Sequence, residues 1–263
     1  MARALTTNFN VFWQLVKRDA YVLSFQLKSK LVDGAAIVAL QVLVFGHLLP
    51  LAGMAPNLIA PTFIGTIIQL CITLGYGLSL RLLFDVEYNR FISYRLTLPL
   101  NKQWLFGVYI VNFMIEQLVT TIPLFSLGII ALGSSFVTVH TSPLLFVVVY
   151  FLSLFFMASL FLSFSLMYSF RWFFDNLWPR RLTPLLLFGG SFFPWKKVFA
   201  FSPTVGVLFL ANPFTYVAEG LRATLIGGPD FLPIFVSIPM LLVGITVSWL
   251  LFSRGVSKRL DPV

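Results

Sequence analysis

Long apolar runs constrain this chain more than any other feature. Several approach or exceed the roughly 20 residues that a helix needs to cross a bilayer. Backbone in lipid must satisfy its own hydrogen bonds, so such runs have to be helical. Charged residues make up 10% of the 263 positions, too few to coat a soluble domain. The expected class is an all-α integral membrane protein.

Six transmembrane helices are expected, over residues 31–51, 61–82, 104–132, 143–170, 182–193 and 231–252. The fifth run is short. Pro194, Trp195, Lys196 and Lys197 interrupt it before apolar character resumes over 198–211. Irregular backbone at membrane depth needs protein or water to satisfy it, so this stretch reads as one span followed by an outer re-entrant segment. Ahead of the first span, Phe9, Trp13, Val16, Ala20, Leu23 and Leu27 recur at helical spacing, with Asn10, Gln14, Lys17 and Arg18 elsewhere on the wheel. That pattern predicts an N-terminal interfacial helix over 8–27, its basic groups toward anionic headgroups. Three regions result: an N-terminal cytoplasmic segment, 1–30; a six-span domain, 31–253; and a cytoplasmic tail, 254–263.

The net charge of +9 sits in short basic segments flanking the apolar runs, which is the positive-inside pattern rather than a nucleic-acid surface. Fifteen of the 18 Lys and Arg residues fall in the N-terminal segment, residues 81–102, residues 171–181 and the tail. With six spans these four segments share one side, so both termini are expected in the cytoplasm. Lys196, Lys197 and Arg222 fall on the other side. A lone cysteine, Cys71, gives no disulfide framework. The polar, basic start shows no cleavable signal peptide.

The stretch before the last span carries helix signals. Asn212 is suited to cap a helix, Pro213 to take its first position, and Gly227 with Gly228 to end it. Phe214, Val217, Leu221 and Leu225 make an apolar face. Thr215, Glu219 and Arg222 make a polar one, with Glu219 and Arg222 spaced to pair. Such an amphipathic helix is expected at the outer membrane interface.

The run Asn212-Pro213-Phe214-Thr215-Tyr216, followed by Glu219, Leu221, Arg222 and Gly227, resembles the C-terminal signature of the ABC-2 type permeases, the membrane subunits of ATP-driven exporters. Phe188-Gly189-Gly190-Ser191-Phe192-Phe193-Pro194 is similar to that family's outer re-entrant turn, and Leu15-Val16-Lys17-Arg18-Asp19 to its interfacial helix. The resemblance implies a multi-pass protein of the bacterial inner membrane. Its substrate is then lipophilic or amphipathic (a drug, lipid or glycolipid), exported by alternating access. It implies a dimer of permease subunits, a homodimer by preference, and a separate P-loop ATPase that binds the ATP and Mg. The chain itself has no G-x-x-x-x-G-K-[ST] sequence, hence no ATPase site of its own and no cofactor of its own. The segment after span 2 is then the cytoplasmic coupling helix that docks on the ATPase, through Asp85, Glu87, Tyr88, Arg90, Phe91 and Tyr94. Asn212, Pro213, Tyr216, Glu219 and Arg222 then gate or brace the exit side. A polysaccharide or lipid-linked glycan permease is the near alternative. An ion-coupled secondary transporter using Glu116 is the alternative from another class.

Asn112, Glu116 and Thr120 recur every fourth residue and form a polar stripe. Glu116 lies about 18 Å into its span, where a carboxylate costs roughly 2.5–3.5 kcal/mol. The stripe lines a translocation path or serves as interhelical hydrogen-bond glue, and the residues alone leave both open. Gly75 with Ser79 and Ser159 with Ser163 predict close helix packing. Arg171 and Asp175 are placed to pair. His47 and His140 are isolated and read as interface residues. No metal-ligand spacing and no catalytic triad stands out, so neither a metal site nor an enzyme is expected.

Overall fold

The computed structural model describes residues 2–53, 56–89, 91–98, 100–132 and 142–260. Among these residues every regular element is a helix, as apolar runs in lipid require. Four helices are long and apolar enough to cross a membrane: Leu58–Asn89, Gln103–Pro123, Pro143–Met167 and Ile234–Val256. The chain is therefore an all-α membrane protein at this level of description.

The first helix, α1 (Ala2–Leu43), runs without a break through a π turn, Val44–Leu48, into Leu49–Leu51. The segment expected to lie in the membrane interface and the first expected span are thus one rod. Protein contact explains this. Leu15 and Val16 are buried against Leu100, Leu105 and Val108, and Phe12 meets Trp104 edge-on at 5.4 Å. Phe9, Trp13 and Leu27 on the periodic face stay exposed.

Helix α2 (Pro56–Phe84) extends as a π-helix, Asp85–Asn89, and a short α3 (Phe91–Leu96) leads to α4 (Lys102–Leu132). Helix α5 (Pro143–Met167) is central, packing on α2, α4, α9 (Pro213–Leu225) and α10 (Ile234–Leu260). The small residues make this possible. A Cβ on Gly75 of α2 would stand 2.2 Å from the Phe161 ring of α5, and Ser79 Oγ donates to the Phe161 carbonyl at 2.7 Å. Gly244 of α10 gives the same close access to Phe156. The close packing foreseen at Gly75 and Ser79 is therefore made within one chain. Ser159 and Ser163 are also buried, and each bonds a carbonyl of its own helix.

Residues 170–187 form one composite helix, α6, of which Phe173–Leu182 is π-helical. The charged connection expected at 171–181 is therefore part of a helix. Arg171 and Asp175 form no ion pair. Two short helices follow, α7 (Trp195–Phe201) and α8 (Pro203–Leu210). They pack as a hairpin in which Trp195 Nε1 donates to the Gly206 carbonyl at 2.8 Å.

Candidate functional site

Helix α9 begins as its sequence dictates. Asn212 Oδ1 accepts from the Phe214 N–H at 3.0 Å, with Pro213 in the first position. The same amide's Nδ2 donates to the Leu185 carbonyl of α6 at 2.6 Å. Thr215 Oγ1 and Tyr216 Oη donate to the Phe209 and Leu210 carbonyls, each at 2.6 Å. These carbonyls end α8 and have no onward helix to bond. The run Asn-Pro-Phe-Thr-Tyr thus starts one helix, finishes another and ties both to a third. Gly227 and Gly228 close α9 at φ 69° and 97°, and the Gly227 N–H bonds the Arg222 carbonyl at 3.2 Å.

The polar face of α9 is covered by protein, and Glu219 and Arg222 are fully buried. The reason is a non-helical turn over residues 188–194, whose backbone needs partners. Arg222 Nη2 donates to the Ser191 carbonyl at 3.1 Å and Nη1 to the Phe193 carbonyl at 3.4 Å. Thr62 Oγ1 donates to the Phe192 carbonyl between them at 3.1 Å. Arg222 Nε reaches the Pro61 carbonyl of α2 at 2.9 Å. Gly65, one turn further along α2, admits the turn: a Cβ there would stand 1.5 Å from the Ser191 oxygen.

Glu219 completes the arrangement. It accepts from Arg222 Nη1 at 3.0 Å, from the Trp195 N–H that opens α7 at 3.1 Å, and from the Leu232 N–H ahead of α10 at 2.9 Å. Burial pulls the Arg222 guanidinium below its usual range, and the Glu219 carboxylate opposes that shift. One ion pair therefore satisfies the turn, two helix starts and a carbonyl of α2.

A second set of charges lies near the other end of the molecule, between α1, α2, α3 and α4. Asp19 of α1 accepts from Asn112 Nδ2 of α4 at 2.8 Å and from Arg95 Nη2 of α3 at 3.2 Å. Its neighbour Arg18 pairs with it as well. One turn further into α4, Glu116 is paired with Lys30 of α1 and with Arg81 Nη2 of α2, the latter at 3.1 and 3.2 Å. Thr120 Oγ1 bonds the Glu116 carbonyl at 2.8 Å. The stripe Asn112, Glu116 and Thr120 thus faces protein, as its cost in lipid requires, and its first two members bind side chains of other helices. Spacing along α4 could not name the partners. Lys30 and Arg81 read as cations flanking spans, and Asp19 only as the end of the run similar to an interfacial helix. The signal available was Glu116 itself, which needs a cation within reach of its depth.

The segment expected to dock a partner is in part aromatic and exposed. Phe84 stacks on Tyr88 at 5.1 Å, and Phe170 meets both edge-on. Glu87 Oε1 accepts from the Phe170 N–H at 3.0 Å and so caps α6. Tyr88 and Tyr94 are 59% and 60% exposed, while Asp85 faces the charged cavity between α1 and α4. Residues 85–89 are π-helical, so an α-helical wheel does not order them. Arg90, the Phe91 side chain, His140 and the connection over 133–141 lie outside the described residues. His47 is exposed on the π turn after α1.

The chain matches no protein-family model and no curated protein.

Proposed function

We propose that this chain is the permease subunit of an ATP-binding cassette exporter of the ABC-2 type. On this reading a dimer of such subunits moves a lipophilic or amphipathic substrate out of the cytoplasm or the inner leaflet, driven by a separate P-loop ATPase. The six rods are α1, α2, α4, α5, α6 and α10, with both termini cytoplasmic by the distribution of Lys and Arg. The turn over 188–194 and the α7–α8 hairpin then lie on the outer side. ATP binding acts from the inner side through residues 84–97, whose exposed Tyr88 and Tyr94 suit an interface.

The observation that carries this reading is the 212–222 motif. Asn212, Thr215, Tyr216, Glu219 and Arg222 each hold a specific neighbour, and together they organise the irregular segment ahead of the last span. A motif of helix starts and carbonyl clamps suits a region that must stay folded while spans on either side move. Glu116 as an ion-coupling site is the rival. Its two cations, Lys30 and Arg81, favour a fixed charge over a site that loads and releases an ion.

Affinity purification of the tagged chain from its native membrane tests the reading. A P-loop ATPase is expected to accompany it in stoichiometric amount. Recovery of the permease alone, under mild detergent and with nucleotide present, contradicts the proposal.

A further inference from the structure

The flank between α4 and α10 carries two adjoining cavities, of about 580 and about 220 Å³. Gln103 and Trp249 line both, so the two form one groove. Its walls are aromatic rings held by other rings. On one side Phe12 of α1 meets Trp104 edge-on at 5.4 Å. On the other Trp249 packs on Phe252 at 5.4 Å, and Phe252 on Phe106 at 4.5 Å. Gly107 keeps the space beside Phe12 open, since a Cβ there would stand 3.3 Å from that ring.

The two ends of the groove differ. The larger cavity follows α4 as far as Met114, with Phe155 of α5 beside it. Gln103 and Met114 stand about 16 Å apart along α4 by its rise per residue. The smaller cavity reaches Asn101, Gln103 and Ser253. The apolar stretches of both helices stop at this level: Gln103–Pro123 begins here and Ile234–Val256 ends here. The polar mouth therefore sits where hydrocarbon gives way to headgroups, and the rest of the groove lies in the hydrocarbon. Among the described residues, none that lines the groove is charged. Trp104 and Trp249 are half-buried, yet among the described residues neither indole N–H has a protein acceptor. A half-buried indole N–H calls for one.

We infer that this groove binds one diacyl glycerophospholipid. An acyl chain lies along α4 against Gly107, Val111 and Met114. Its ester carbonyls accept from the Trp104 and Trp249 indoles, and the head leaves past Asn101 and Gln103. An acyl chain is an apolar rod that ends in an uncharged acceptor, which is what an uncharged groove with indole donors near its mouth complements. The inference goes beyond the permease reading and does not rest on it, because binding needs neither ATPase nor transport.

The test uses the purified full chain, delipidated in dodecyl maltoside, titrated with dioleoyl phosphatidylcholine and read by native mass spectrometry. Wild type is expected to take one lipid saturably. The diether lipid with the same chains and head lacks the carbonyls and is expected to bind about two- to tenfold more weakly, the worth of one neutral hydrogen bond. The double variant Trp104→Phe, Trp249→Phe keeps the rings and is expected to lose that preference. Val111→Trp, which fills the groove, is expected to abolish the saturable site, whereas Leu250→Trp, beside Trp249 but outside the groove, retains it. Should Val111→Trp not fold, Met114→Trp fills the groove from its far end. The inference is overturned by equal affinity for the ester and ether lipids, by a preference that survives loss of both indoles, or by a saturable site that survives filling of the groove. An equal loss in Leu250→Trp also overturns it, since the bound lipid is then a general shell. So does a lipid-free dimer that Val111→Trp dissociates, which seats a second copy there instead.

Discussion

Arg222 is the residue on which most depends. Its side chain meets carbonyls of Pro61, Ser191 and Phe193, as well as Glu219, with no exposure to solvent. Desolvating two charges is costly, and the pair is tolerable because each remaining donor and acceptor finds backbone. Removing one partner leaves a buried, uncompensated charge. Arg222→Met is expected to cost about 3–5 kcal/mol and to lower the melting temperature of the detergent-solubilised protein sharply, read by size-exclusion after heating. Glu219→Gln combined with Arg222→Met removes the orphaned charge and is expected to recover part of that loss. A double variant no more stable than Arg222→Met places the damage in the lost carbonyl bonds and not in the charge. The spacing of Glu219 and Arg222 predicts their pairing. Their burial is invisible in it, because the groups that need them are main-chain atoms of other segments, and backbone leaves no trace in residue type.

At the scale of elements, the starts and stops of α9 were legible and its surroundings were not. Asn212, Pro213, Gly227 and Gly228 act as their chemistry predicts. The second bond of Asn212, to Leu185 of α6, adds a tertiary tie to the cap. Asn212→Ala is expected to cost about 0.5–2 kcal/mol for the cap and further stability for the tie, whereas Asn212→Asp keeps the cap alone. Thermal melts of the two variants separate the terms. A loss in Asn212→Asp as large as in Asn212→Ala shows that the tie dominates. The segment 84–97 shows the opposite balance. Its aromatic side chains predict an exposed patch, and Phe84 and Tyr88 make one, with the half-buried Phe170 packed against both. Its shape was not legible, since a π-helix has no signature in residue type and Arg95 turns inward to Asp19. If this segment couples ATP hydrolysis to transport, Tyr88→Ala and Arg90→Glu are expected to leave hydrolysis running while transport falls. Unchanged coupling in both removes the segment from the interface.

For the whole molecule, hydropathy alone marks four helices, because their cost of leaving lipid is set by composition. Helices α1 and α6 mix charge with apolar length. α1 carries Lys30 and Asp33 within one helix, and α6 begins in the polar π-helix Phe173–Leu182. Reading polarity as loop therefore divides α1 and shortens α6. What the polar groups do instead is join rods: Asp19, Lys30, Arg81, Arg95 and Glu116 connect α1, α2, α3 and α4 at one end, and Glu219 with Arg222 fixes the other. Two ends tied separately around apolar rods suit a permease that takes energy at one face and releases cargo at the other. Such a machine is driven only by a difference in binding free energy between its two states, which on the proposed permease reading a partner that binds ATP supplies. The direct measurement is transport of a lipophilic fluorescent substrate in vesicles containing the chain and its co-purified ATPase. Transport is expected to require ATP hydrolysis and to persist when the proton gradient is collapsed. Transport that continues without ATP and stops when the gradient is collapsed contradicts an ATP-driven permease and favours a coupling ion at Glu116.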